Sequence, residues 1–267
     1  MTDKAPLRLA LIGYGAIAQS LLDLLPQGLA PEVVVLVRRL PDAPRPGCRF
    51  VTEAAALVAA APDLVVECAG HGAVAAYGET MLAAGIDLVP ASVGALACAD
   101  LHARLHAAAQ AAGARLILPS GAIGGLDLLA ALSVQGAVQV CYEGTKPPAA
   151  WRGTPAEARV DLAALTAPHL VYDGTAREAA RLFPKNSNVV AALALAGPGF
   201  DAVSVRLIAD PAATGNRHRY HVRAAGCRAT VEIESQPSSG NARSSQTTIF
   251  SLIHEITAAA EDKARGA

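Results

Sequence analysis

Long apolar runs are missing from this sequence. No stretch reaches membrane-spanning length without a charge or a proline, and the start, Met1-Thr-Asp-Lys-Ala-Pro6, lacks the basic-then-apolar order of a secretory signal. A soluble, cytoplasmic chain is therefore expected. Neither sign of charge is in excess: 22 Lys and Arg stand against 23 Asp and Glu, which argues against a nucleic-acid or membrane-surface role driven by bulk charge. Aromatic residues make up only 4% while alanine is abundant, so helices should pack closely on a sheet. Cys48, Cys68, Cys98, Cys141 and Cys227 are odd in number and never spaced C-x-x-C. Neither a disulfide framework nor a metal site is expected from them, which fits a reducing cytosol.

What is present begins near the start. Residues 8–12 read as a buried strand, and Gly13-Tyr-Gly15-Ala-Ile-Ala18 follows at once, opening an apolar helix. This is the G-x-G-x-x-A spacing. The first glycine lets the chain turn sharply out of the strand, the second lets backbone N–H groups approach a pyrophosphate, and Ala18 lets the helix pack close to the sheet. The phosphates would rest on the positive end of that helix. Gly13, Gly15, Ala16 and Ile17 are thus expected to bind a dinucleotide.

The end of the second strand reads out which dinucleotide. An acidic residue after Glu32-Val-Val-Val-Leu-Val37 would bond a ribose 2′-hydroxyl and favour NAD; the sequence has Arg38-Arg39. Two guanidiniums there suit a 2′-phosphate. NADP is favoured, with NAD left usable. Leu64-Val-Val-Glu-Cys68 is another buried strand, and its exit Ala69-Gly70-His71 lies where ligands of open α/β sheets bind. Further strands are expected at 86–90 and 115–119, with helices between. The alternation over about 120 residues predicts a Rossmann-type doubly wound parallel sheet.

After Pro119 the character changes. Antiparallel strands with interspersed helices are expected across 138–234, which predicts a second α+β domain for substrate binding and dimerisation. At 267 residues two modest domains are reasonable, set at 1–120 plus 241–267 and at 121–240.

Three stretches in the second half carry the most specific signal. They are Gly121-Ala-Ile-Gly-Gly-Leu-Asp127, Phe183-Pro-Lys-Asn-Ser-Asn-Val189 and the Asp210-Pro…Asn216-Arg-His218 segment. With the N-terminal fingerprint, they make the chain resemble the L-aspartate dehydrogenase family over nearly its whole length. That resemblance implies NAD(P)-dependent oxidative deamination of L-aspartate to oxaloacetate and ammonia through iminoaspartate, or the reverse amination, and a link to NAD biosynthesis. It implies that His218 is catalytic and that Ala122 and Asn188 contact the cofactor. Asn241-Ala-Arg-Ser-Ser245 resembles another family segment, but Ala242 and Ser244 depart from it, so no role is carried there.

The residues read by themselves agree on the chemistry. An amino-acid dehydrogenase needs a proton acceptor at the amine or at the water that attacks the imine, and histidine, with an ordinary pKa of about 6.5, suits that task. Of the seven histidines, His102, His106 and His254 fall in expected helices. His218 and His221 would face opposite sides of a strand, and His71 is placed to touch a ligand rather than to move a proton. A dicarboxylic substrate needs cationic or donor-rich partners. Ser92, Lys185, Asn186 and Arg243 are candidates, and the sequence does not choose among them. A homodimer is expected by analogy of fold. Two other readings remain open: a reductase or dehydrogenase of a semialdehyde or cyclic imine, and a non-catalytic NADP(H)-binding sensor.

Overall fold

A computed structural model describes residues 6–134, 136–235, 237–238 and 241–266; the side chains at 185, 237–238 and 241–245 are outside the described set. The chain divides into two compact units, Met1–Pro119 with Ile249–Ala267, and Ser120–Thr248. Among the described residues no helix is long and apolar enough to cross a membrane.

The first unit is a parallel sheet flanked by helices. Its strands are β1 (Leu9–Ile12), β2 (Val33–Leu36), β3 (Cys48–Val51), β4 (Leu64–Glu67) and β5 (Asp87–Pro90), in the order β3-β2-β1-β4-β5. Every pair is parallel. β1, β2 and β4 are buried at every position, as expected of apolar, β-branched strands covered on both faces. Helices α1 (Ala16–Leu24), α2 (Ala54–Ala59), α3 (His71–Ala83) and α4 (Ala99–Ala112) make the crossovers. The strand order reverses beside β1, which places a crevice at the C-terminal ends of β1 and β4. The strand expected at 115–119 is only an isolated bridge, Leu88 with Leu116. Pro119 has no N–H with which to extend the ladder.

The second unit is a mixed sheet with helices on its buried face. Its elements are α5 (Leu126–Ser133), β6 (Gln139–Lys146), β7 (His169–Thr175), α6 (Ala176–Leu182), α7 (Asn188–Ala196), β8 (Val203–Ala209), β9 (Asn216–Ala224) and β10 (Cys227–Ser235). The strand order is β10-β9-β6-β8-β7. Two expectations are corrected. The sheet is not purely antiparallel, because β6 and β8 run parallel with α7 among the elements joining them. His169, which the neighbouring prolines place in a loop on the sequence alone, begins β7, a seven-residue strand paired with β8. Beyond β10, β11 (Pro237–Ser238) and β12 (Asn241–Ser245) pair with each other.

α8 (Gln246–Arg265) returns the chain to the first unit. There Ile249, Leu252 and Ile256 join the core formed by Leu9, Leu11, Val35 and Val66. An ionic clasp holds its far end. The Asp63 carboxylate accepts from the Arg8 backbone N–H at 2.8 Å, from the Arg8 guanidinium at 2.6 Å and from Lys263 Nζ at 2.6 Å. Burial would raise the Asp63 pKa, but hydrogen bonds from Arg8 and Lys263 win and hold it at about 2.

A carboxylate held low in the fold stabilises above its unfolded pKa of about 3.9, and that contribution disappears as pH falls through the folded value. Asp63→Asn should therefore lower stability at neutral pH by about 1 kcal/mol, after discounting for the exposed Arg8 partner. It should also flatten the loss of stability between about pH 4 and pH 2. Urea denaturation at stepped pH checks both; an unchanged acid limb would remove the clasp from the account.

Candidate active site

In the first unit, a cavity of about 990 Å³ opens at the strand ends and is lined by Gly13, Tyr14, Gly15, Arg38, Arg39 and Ala69, among others. Its floor follows from the glycine spacing. Gly13 has φ +96°, and a Cβ there would lie 2.7 Å from the Ala69 Cβ, so the turn out of β1 admits only glycine. Gly15 precedes α1 with no side chain capping the helix, which leaves the first-turn N–H groups of Ala16 and Ile17 for an anion. Ala18 is fully buried at the third position. Arg38 and Arg39 are exposed beside the cavity, with no ion-pair partner among the described residues. The open helix end, the glycine floor and the paired guanidiniums fit a dinucleotide.

The opposite wall is held by a residue that the sequence reading passed over. Glu67, wholly buried at the end of β4, accepts from Ala69 N and Gly70 N at 2.6 Å each, and from Ser92 N at 3.1 Å and Ser92 Oγ at 3.2 Å. Burial raises its pKa, opposed by these donors. Glu67 thus ties the exit of β4 to the exit of β5. Ser92, expected at the substrate, has its hydroxyl committed to Glu67 instead. Gly70 and His71 stand at the start of α3, but the cavity wall takes Ala69, Gly72 and Ala73 from this corner. Cys68 is no nucleophile, because burial and then the Glu67 carboxylate push its thiol well above the ordinary range.

In the second unit the chemistry gathers on the buried face of the sheet. β9 alternates strictly there, with Asn216, His218, Tyr220 and Val222 buried. His218 lies inside this strand rather than at a loop–strand junction, and His221, on the other face, is exposed. The antiparallel register sets His218 opposite Gly144 of β6. From β6, the Tyr142 hydroxyl reaches over Gly144 to share a 2.7 Å hydrogen bond with His218 Nδ1. A Cβ at Gly144 would sit 2.5 Å from that hydroxyl, so the bond requires glycine at this position. With Nδ1 held, Nε2 is the nitrogen left for chemistry. Burial, and then the charge of nearby Lys146, lower the His218 pKa to about 3, so the imidazole is neutral. The Tyr142 hydroxyl is buried and its pKa raised, so it stays protonated.

Tyr220, two residues along β9, donates its hydroxyl to Gly124 O at 2.8 Å. This docks the loop that carries Ala122 against the sheet. A Cβ on Gly125, at φ +72°, would lie 2.7 Å from that same hydroxyl, which explains the glycine at this position. Asn188 begins α7. Asn186 is buried, and its Oδ1 accepts from Lys146 Nζ at 3.0 Å. The side chains of Lys185 and Arg243 lie outside the described set. Tyr142, Lys146 and Asn216 are further members of this cluster that the sequence reading did not single out. A polar residue breaking an apolar alternation was the only local signal for them.

Comparison with known proteins adds the family context. Residues 127–259 match the family model described as aspartate dehydrogenase, C-terminal, and residues 13–119 match homoserine dehydrogenase, NAD binding domain. The chain is 47% identical to L-aspartate dehydrogenase of Ruegeria pomeroyi, over 92% of this chain and 90% of that protein. It is 42% identical to L-aspartate dehydrogenase of Pseudomonas aeruginosa, over 94% and 96%. Among solved structures, aspartate dehydrogenase from Thermotoga maritima superposes with a TM-score of 0.75 at 28% identity, covering 95% of this chain and 97% of that one. A dihydrodipicolinate reductase from Paenisporosarcina shares the fold, with a TM-score of 0.56 at 12% identity over 98% and 96% of the two chains.

Glu67→Gln tests the buttress. The amide keeps one acceptor and turns a donor toward N–H groups, and a buried unmatched donor costs about 1–3 kcal/mol. Stability should fall by that amount, and reduced-cofactor affinity, read by nicotinamide fluorescence, should weaken by about tenfold or more. Wild-type affinity in the variant would show that the β4 exit holds its shape without the carboxylate.

Proposed function

The chain belongs to the L-aspartate dehydrogenase family, and from that premise we propose how its own residues carry the NAD(P)-dependent oxidative deamination of L-aspartate. The products are oxaloacetate and ammonia, formed through iminoaspartate. When bound, the cofactor supplies a hydride acceptor at nicotinamide C4. Gly13, Gly15 and the first turn of α1 hold its pyrophosphate, with Ala16 and Ile17 offering backbone N–H groups. Ala69, Gly70 and His71 would border it, and the family resemblance gives Ala122 and Asn188 as further contacts. Arg38 and Arg39 favour NADP through the 2′-phosphate.

His218 is the proton acceptor. The observation that carries this role is its geometry: a buried, neutral imidazole on a rigid strand, whose Nδ1–H donates to the Tyr142 hydroxyl oxygen in the tautomer that leaves the Nε2 lone pair to accept a proton. Nε2 first takes a proton from the substrate ammonium, so that the lone pair on nitrogen can assist departure of the Cα hydride. With that proton passed on to solvent, the neutral ring next takes one from the water that adds to the imine carbon, and returns it to nitrogen, which leaves as ammonium when the hydroxyl carbon becomes the carbonyl. The reverse steps give reductive amination. Tyr142 keeps the ring oriented throughout. We further propose a homodimer, by analogy of fold, and a cytoplasmic location, in keeping with five free cysteines.

Absorbance of the reduced nicotinamide tests this reading, with L-aspartate and NAD⁺ or NADP⁺ supplied in parallel. Wild type should turn over, faster with NADP⁺ at low cofactor concentration. His218→Ala should lose about 10²–10⁴-fold in kcat while keeping its cofactor affinity. Tight cofactor binding with no turnover of L-aspartate would remove the proposed reaction, and full activity of His218→Ala would remove the proposed catalyst.

A further inference from the structure

At one end of the second sheet lies a buried cation without a counter-charge. Lys146 is the last residue of β6 and is 5% exposed, yet no carboxylate lies within ion-pair distance of it among the described residues. Its Nζ donates to Asn186 Oδ1 at 3.0 Å. Its backbone carbonyl is fixed by Asp210 N at 3.0 Å and by the indole N–H of the buried Trp151 at 3.4 Å. Asn216 begins β9. The pairing of Gly144 with His218 and of Thr145 with Arg217 brings Asn216 to the position beside Lys146.

Both asparagines are incompletely paired. Asn186 is 5% exposed and, among the described residues, its Nδ2 has no hydrogen-bond partner; Asn216 is 2% exposed and its Oδ1 has none among them. A buried polar atom without a partner costs stability, and so does a buried ammonium with only one bond. Methionine would fill the lysine's place at lower cost, so the fold alone does not account for this cluster. Its unused groups define a ligand. The ammonium and the free amide N–H are donors for an anionic oxygen, while the free amide oxygen is an acceptor for an amine. His218, whose pKa Lys146 depresses, is near enough to feel its charge.

We propose that Lys146 and Asn186 bind a carboxylate of the amino-acid substrate and that Asn216 Oδ1 accepts from its amine. This rests on the reading of the chain as an enzyme of dicarboxylic amino acids. It moves the carboxylate contact from Lys185 and Arg243 to Lys146 and gives the sequence candidate Asn186 a defined partner. Burial lowers the Lys146 pKa to about 8, which leaves the ammonium mainly charged at neutral pH, and the carboxylate would complete its coordination.

The probe is succinate, a dicarboxylate with no amine to oxidise, titrated calorimetrically into protein saturated with reduced cofactor. Wild type should bind it, and Lys146→Met should weaken binding by about 30-fold or more, the loss of a charge-assisted contact. Lys146→Arg should fall between the two. Reduced-cofactor affinity should stay unchanged, and the melting temperature of Lys146→Met should equal or exceed that of wild type, which a purely structural lysine would not allow. Failure of wild type to bind succinate, or equal binding by Lys146→Met, overturns the subsite. Turnover of L-aspartate by wild type is scored separately: its absence with the succinate result intact would sink the substrate and leave the carboxylate subsite standing.

Discussion

The 2.7 Å hydrogen bond between Tyr142 and His218 Nδ1 is the contact on which the second unit's chemistry depends. It bridges β6 and β9, so it exists only in the register that pairs Gly144 with His218. It also requires that position 144 carry no Cβ, because one would meet the tyrosine hydroxyl. Strand pairing, a missing side chain and a buried hydroxyl together fix one imidazole nitrogen and leave the other available. The same face of β9 carries Tyr220, which docks the glycine-rich loop. One strand therefore sets both the His218 imidazole and the loop that carries Ala122.

The two units bury polar groups in different ways. In the first, the Glu67 carboxylate meets donors from Ala69, Gly70 and Ser92, and its network stiffens the loops at the strand ends. In the second, Lys146, Asn186 and Asn216 are buried with polar valence to spare. A satisfied network rigidifies, whereas an unsatisfied one is costly and is retained where something else completes it. The first arrangement is complete in itself, and the second leaves donors and an acceptor for a ligand.

The parts of this protein written locally were legible in its sequence. The β1 turn into α1 is readable because its G-x-G-x-x-A spacing is itself local, even though the Ala69 Cβ that bars a side chain at Gly13 lies far along the chain. The parallel strands are readable because burial on both faces demands continuous apolar runs. Lys146 and Tyr142 were not, because they meet His218 only through pairing of strands some seventy residues apart in the chain. A lysine ending an apolar strand reads as a solvated edge, and nothing nearby signals that Trp151 and Asn186 cover it. Glu67 was missed for the same reason, since its donors come partly from Ser92 across the sheet. Position 92 was noticed, but not the bond of its hydroxyl to Glu67. β7 escaped because its partner β8 lies far along the chain and its flanking prolines suggested a loop.

The protonation state of His218 is the most direct test of the proton-acceptor role. Long-range ¹H–¹⁵N correlation spectra of the imidazole, assigned against His218→Gln, can be followed between about pH 5 and pH 9 around the ordinary histidine pKa. Burial and the neighbouring ammonium predict a ring that stays neutral across that range, with one nitrogen protonated and the other free. A midpoint near the ordinary value of about 6.5 would contradict this. It would mean that the ring is hydrated, and that neither burial nor the Lys146 ammonium sets its charge as the geometry requires.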